Sequence, residues 1–228
     1  MRVVIMGGTA GIGLATARLL AGDGAEVIVT GRDPERLAAA KESVAAAEQV
    51  DGTSQEEVAA FFDRVGELDH LVLAFSGGAD AMGPLAELEV SAVRDAFDGK
   101  LFPYLYAIQR ARVTGSITMV SAASARAALP GTAGLAAVNG AIERIVPPLA
   151  AELAPVRINA VSPGVVDTAW WSFLPEEQRR AQFEAVAGTL PAGRVGRPED
   201  VAGAIRYVIG APYVTGSILP VDGGFTVS

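Results

Sequence analysis

Val3-Val4-Ile5 runs almost directly into Gly7-Gly8-Thr9-Ala10-Gly11-Ile12-Gly13, and a helical stretch, Leu14 to Leu20, follows at once. No other feature narrows the fold so far. A β-branched run, a glycine-rich turn and a helix, in that order, match the opening β-α unit of a parallel sheet. Glycines in such a turn let the backbone approach a pyrophosphate, which sits over the positive end of the helix dipole. A glycine-rich turn alone is weak evidence; its place after a strand and before a helix is the supporting context.

The rest of the chain repeats the alternation. Val27-Ile28-Val29, Leu71-Val72-Leu73, Ile117–Val120, Val156–Val161 and Ile218–Val221 read as further buried strands. Helical segments are expected near 11–22, 33–47, 54–65, 89–111, 133–153 and 198–210. This predicts a single doubly wound α/β domain over residues 1–228, with a parallel sheet covered by helices on both faces. The segment 168–191 breaks the rhythm with Trp170, Trp171, Phe173 and Leu174 ahead of a charged helix. It is long for a connection between elements, and so reads as a lid over a substrate.

Composition excludes several kinds of chemistry. The net charge of −8 argues against a sequence-independent grip on nucleic acid or an anionic membrane. Cysteine is absent and His70 is the one histidine, so thiolate catalysis and Cys-based or multi-imidazole metal centres are not expected. No apolar run approaches the roughly 18 residues of a membrane span. The opening MRVVIMGG is too short an apolar stretch for a secretory signal. A cytoplasmic protein acting on a small molecule is the expectation.

The second strand ends Thr30-Gly31-Arg32-Asp33-Pro34. Dinucleotide folds that take NAD carry an acid here for the ribose 2′-hydroxyl, whereas an arginine accommodates a 2′-phosphate. Gly31 leaves the acid's place empty and Arg32 offers a planar fork to phosphate oxygens, so NADP(H) is the expected cofactor. Asp33 is expected to cap the following helix, with Pro34 in its first turn.

Taken together, these residues and several further segments resemble the short-chain dehydrogenase/reductase family over essentially the whole chain. The family's TGxxxGxG is similar to Met6–Gly13, with Met6 for the leading threonine. By that resemblance the fold is of the Rossmann type, and Gly7, Thr9, Gly11, Ile12 and Gly13 hold the cofactor phosphates. The resemblance makes Asp51 the acidic adenine contact. Leu73-Ala74-Phe75-Ser76 replaces the family's Asn-Asn-Ala-Gly, with Ala74 and Ser76 small enough to admit the cofactor. Pro163, Val166 and Thr168 belong to the segment that holds the nicotinamide amide. The stretches Gly196–Val201 and Thr215–Gly224 also match. The resemblance further implies a homodimer or homotetramer, assembled through the helix 133–153 and the C-terminal strand.

The catalytic pattern of that family is missing. Its Tyr-x-x-x-Lys aligns with Leu135 and Asn139, its serine with Ala122, thirteen positions before Leu135, and its asparagine with Lys100. No Tyr-x-x-x-Lys occurs anywhere in the chain. Lys100 falls within or beside the apolar stripe Val93, Phe97, Leu101, Tyr104 and Ile108, where desolvation would lower its pKa and fit it to donate a proton. Pro103 cannot donate to the Gly99 carbonyl, so a kink is expected beside Lys100. A second kink is expected at Pro147-Pro148. Ser121, just after a strand, is a candidate to polarise a carbonyl, with Ser124 as the alternative. Asn139 can still bond a ribose hydroxyl. The expected activity is therefore carbonyl reduction with NADP(H) and an unusual proton donor. A dinucleotide-binding pseudoenzyme or redox sensor, and a non-redox isomerase or cyclase using the pocket near Leu135, Trp170 and Trp171, are the alternatives.

Overall fold

In the computed structural model, which describes residues 1–227, seven parallel strands form one sheet in the order β3-β2-β1-β4-β5-β6-β7. They are β1 (Arg2–Met6), β2 (Glu26–Gly31), β3 (Ala46–Gln49), β4 (Glu67–Leu73), β5 (Arg112–Val120), β6 (Arg157–Pro163) and β7 (Ile218–Val221). Alternate side chains of a strand point to opposite faces, and here both faces are dry. Val4 and Met6 join Phe61, Leu71 and Ile142 on one side; Val3 and Ile5 join Leu20, Val201 and Ile205 on the other. The first face is covered by α3 (Gln55–Val65), α5 (Phe102–Arg110) and α6 (Ala133–Glu152). The second is covered by α1 (Gly11–Gly22) and α8 (Pro198–Gly210), which pack on each other. Burial on both sides is why the strands read as continuous apolar runs.

The strand order reverses between β1 and β4, which opens a crevice at the carboxyl ends of the strands, the usual place for a ligand in such sheets. No described helix is long and apolar enough to cross a membrane.

Two local expectations need adjustment. The segment 33–47 is not one helix: α2 (Pro34–Lys41) ends early and β3 pairs with β2, placing Ala46 beside Ile28 and Gln49 beside Gly31. The alanines there favour helix intrinsically, but the open edge of β2 offers backbone partners that outweigh the preference. The expected helix 89–111 divides into α4 (Val90–Ala96), a π-helical turn at Phe97–Leu101, and α5. The Phe102 amide reaches back to the Phe97 carbonyl, so the disturbance caused by Pro103 takes the form of a widened turn. By contrast, α6 continues as helix through Pro147 and Pro148 to Glu152, with both prolines exposed.

Candidate active site

A cleft of about 1310 Å³ runs along the carboxyl ends of the strands, and every candidate site residue named from the sequence lines it. That volume exceeds the roughly 300–1,000 Å³ of sites for drug-sized ligands, leaving room for a dinucleotide together with a second small molecule.

At one end, α1 presents a bare N-terminus. Ala10 at the cap makes no side-chain hydrogen bond and the first turn holds no acid, so neither a side-chain cap nor a carboxylate answers the positive end of the helix. Gly7 adopts φ +80, and a Cβ there would press on the Ala74 carbonyl oxygen at 2.7 Å. A Cβ on Gly13 would stand far inside contact distance of the Gly7 carbonyl oxygen. The turn is therefore drawn tight around an uncapped set of amides, which suits an anion. Thr168 crosses in front, its methyl 3.3 Å from where a Cβ on Gly11 would lie.

Beside that turn, exposed Arg32 lies between β2 and α2. Asp33 is committed elsewhere: its Oδ1 accepts from the Glu35 and Arg36 amides, 2.9 and 3.1 Å, as the cap of α2. A side chain at Gly31 would run into Thr9, with a Cβ 2.6 Å from the Thr9 side chain. An acid in that place would collide with the phosphate turn, which leaves Arg32 as the charged group at the end of β2. Asp51 accepts from the Thr53 amide and hydroxyl at 3.0 and 2.8 Å, and these bonds hold its carboxyl below the usual range against the opposing effect of burial.

Lys100, Ser121 and Asn139 form a polar cluster at the same cleft, which Ala74, Ser76, Pro163 and Val166 also line. Lys100, in the π turn, is buried; its Nζ donates to Asn139 Oδ1 at 2.7 Å and to the Ser121 carbonyl at 3.3 Å. Burial pushes this amine down to about 7, against a smaller upward pull from the Glu143 carboxylate. Asn139 in turn donates to the Leu135 carbonyl at 2.9 Å and to Ser124 Oγ at 3.2 Å. Lysine and asparagine thus meet directly, Lys100 at the position that the resemblance aligns with the family's asparagine and Asn139 at the position aligned with its lysine. Tyr104, one turn beyond Lys100, gives its hydroxyl to the Val120 carbonyl at 2.9 Å. Burial raises its phenol well above the usual range, which keeps it in the neutral form.

Ser121 is placed differently from the expectation. Its hydroxyl donates to Glu143 Oε1 at 2.8 Å, and it is the backbone carbonyl of Ser121 that faces Lys100. Glu143 also accepts from the Ser162 hydroxyl at 2.7 Å and pairs with Arg126 at 3.2 Å. This buried carboxylate escaped the sequence reading. A signal was present, because Glu143 lies four residues after Asn139 on the same helix stripe as Val138, Ile142 and Val146, an acid among residues otherwise apolar or candidate.

Trp170 and Trp171 line the cleft. The two rings meet edge to face at 4.8 Å, Trp171 packs on Phe183 of α7 (Glu176–Ala187), and Trp171 Nε1 donates to the Val166 carbonyl at 3.0 Å. No residue of α7 is itself buried.

Comparison with known proteins agrees with this fold. Residues 7–226 match the family model described as enoyl-(acyl carrier protein) reductase. The cis-4-hydroxycyclohexanecarboxylate dehydrogenase of Sinomonas cyclohexanicum is 34% identical over 242 residues, covering 98% of this chain and 95% of that protein. The 1-cyclohexenylcarbonyl-CoA reductase of Streptomyces collinus is 30% identical over 245 residues, covering 98% and 86%. Among solved structures, a small-chain dehydrogenase in complex with NADPH superposes with a TM-score of 0.88 at 30% identity, over 100% of this chain and 99% of that one.

Proposed function

This chain belongs to the short-chain dehydrogenase/reductase family, and from that premise we propose that it is an NADP(H)-dependent oxidoreductase that reduces a small carbonyl compound with Lys100 as proton donor. The observation that carries the reading is the buried Lys100–Asn139 contact under a cleft whose other end is shaped for a dinucleotide phosphate. When bound, the nicotinamide supplies the hydride; the protein supplies position, charge and a proton.

The residues fit such a cofactor. The amides at the start of α1 would take the pyrophosphate, Arg32 the 2′-phosphate and Asp51 the adenine. Asn139 would bond the nicotinamide ribose, and Pro163, Val166 and Thr168 would flank the carboxamide. Lys100 replaces the family's tyrosine by a different route to the same end. A tyrosine needs a nearby cation to lower its pKa, whereas a buried ammonium is lowered by desolvation alone. Near neutral pH the amine is protonated about half the time, which suits a donor to a developing alkoxide. Asn139 and the Ser121 carbonyl fix the amine, while Glu143 opposes complete loss of its charge. The Ser121 hydroxyl is engaged with Glu143, so Ser124, whose oxygen accepts from Asn139, is the hydroxyl better placed to polarise a carbonyl. Trp170, Trp171 and α7 would form the lid that excludes water, favouring alicyclic or otherwise apolar substrates.

The test is NADPH oxidation at 340 nm across a panel of cyclic ketones and aldehydes. Turnover should fall as pH rises through about 7, losing about tenfold per unit beyond it, and Lys100→Met should lower kcat by about 10²–10⁴-fold. Full turnover in Lys100→Met would overturn the assignment of Lys100. An absence of NADPH binding would overturn the oxidoreductase reading itself.

A further inference from the structure

We propose that Lys100 is also a covalent site for aldehydes and ketones, capturing them as imines through its neutral amine. The inference goes beyond the reduction reading and does not depend on it, since no cofactor takes part in the step.

The hydrogen-bond arrangement carries it. A lysine amine has three N–H groups when charged but two N–H groups and a lone pair when neutral. Lys100 Nζ is given two acceptors, Asn139 Oδ1 and the Ser121 carbonyl. The pair satisfies both N–H groups of the neutral form and leaves its lone pair free. Among the described residues, the charged form has no third protein acceptor for its remaining N–H, which is left to the cleft. Among the described residues, no carboxylate forms an ion pair with Lys100. The nearest acid named in its environment, Glu143, is occupied by Ser121, Ser162 and Arg126. Lys100 nevertheless lines a cleft large enough to admit a second small molecule beside a dinucleotide. A desolvated lysine that opens on a cavity is the usual setting for nucleophilic amine chemistry. The amine's lowering to about 7 is consistent with this geometry.

The step balances without any oxidant. The lone pair of Nζ forms a C–N bond to the carbonyl carbon, and the carbonyl π pair moves to oxygen, which takes up a proton. The carbinolamine then loses water as the C=N bond forms. Both hydrogens of the original amine leave with that oxygen. An imine draws electrons from the neighbouring carbon, so exchange of the adjacent C–H protons becomes accessible at the same position.

The sequence makes the experiment clean, because the chain holds only two lysines, Lys41 and Lys100. Lys41 is exposed at the end of α2 and serves as an internal reference. The intact protein is treated at pH 7 with propanal and sodium cyanoborohydride, without nicotinamide cofactor, and alkylation at each lysine is followed by peptide mass spectrometry. Lys100 should be propylated at least about tenfold faster than Lys41, and in Lys100→Arg the only labelled lysine should be Lys41, with the α-amine of Met1 labelled in both proteins. Labelling of Lys100 no faster than Lys41 in the folded parent protein would overturn the proposal. That result leaves the NADPH assay untouched, so failure of imine capture and failure of carbonyl reduction are read separately.

Discussion

Arg32 and Glu143 show how single side chains divide the work of the cleft. Arg32 is the charged group left at the end of β2 because Thr9 fills the space that an acid at position 31 would need. On the proposed reading, truncating it removes a charge-assisted contact with the 2′-phosphate. Arg32→Ala should therefore weaken NADPH binding by roughly 10- to 100-fold while changing NADH binding little, as measured by calorimetry with the two cofactors in parallel. Equal losses for both would mean that Arg32 does not read the 2′-phosphate. Glu143 acts through others. It holds the Ser121 and Ser162 hydroxyls, and its charge opposes the lowering of the Lys100 amine. Glu143→Gln keeps the acceptor oxygen and removes the charge, so the pH at which reduction falls to half should move to a lower value. A purely structural role would lower activity at every pH without moving that midpoint.

The first β-α unit and the π turn are the two elements on which the site depends. In α1, two glycines of the same helix have opposite surroundings: a Cβ at Gly13 meets the Gly7 carbonyl, whereas at Gly22 it meets nothing within 4 Å. Gly13→Ala should destabilise by about 1–3 kcal/mol through overpacking and abolish dinucleotide binding at concentrations that saturate the parent. Gly22→Ala should instead stabilise by about 0.4–1 kcal/mol, by restricting the unfolded chain. Urea midpoints for the pair check both signs. The π turn owes its place to Pro103, which removes an amide from the helix, and to Gly99, which lies against Gly77. Lys100 sits within it, where one extra residue in the turn changes which face of the helix a side chain takes.

Burying Lys100 also has a cost spread over the whole fold. Its amine lies near 7 when folded and near the ordinary lysine value when unfolded. Below about 7 both states hold the proton, and the penalty of a buried charge is present in full. Between about 7 and 10.5 the unfolded chain binds a proton that the folded chain does not. Stability from this residue therefore rises with pH across that window, by at most about 1.4 kcal/mol per unit. Lys100→Met should be more stable than the parent near pH 6–7, and its advantage should shrink as pH approaches 10. The difference between the two melting curves isolates this group from all others that titrate. An advantage unchanged with pH would mean that the amine is not perturbed in the folded state.

The β-branched runs, the spacing of Gly7, Gly11 and Gly13, and the alternation of strand and helix were enough to read the doubly wound sheet and its tight glycine turn at the head of α1. They depend on local periodicity, on turn chemistry and on burial of both sheet faces, all of which leave their mark along the chain. The Asp33 cap and the disturbance at Pro103 were legible for the same reason. β3 was not, because alanine-rich residues 45–47 prefer helix until the edge of β2 supplies hydrogen-bond partners. The partners of Lys100 were also out of reach: Asn139 and Ser121 lie 39 and 21 residues away, and Ser121 and Glu143 are separated by 22. Which of these groups give protons, and to whom, depends on the crossing of α6 over the π turn and the end of β5. Contacts of that kind arise from packing between elements, where no residue's neighbours in the chain record its neighbours in space.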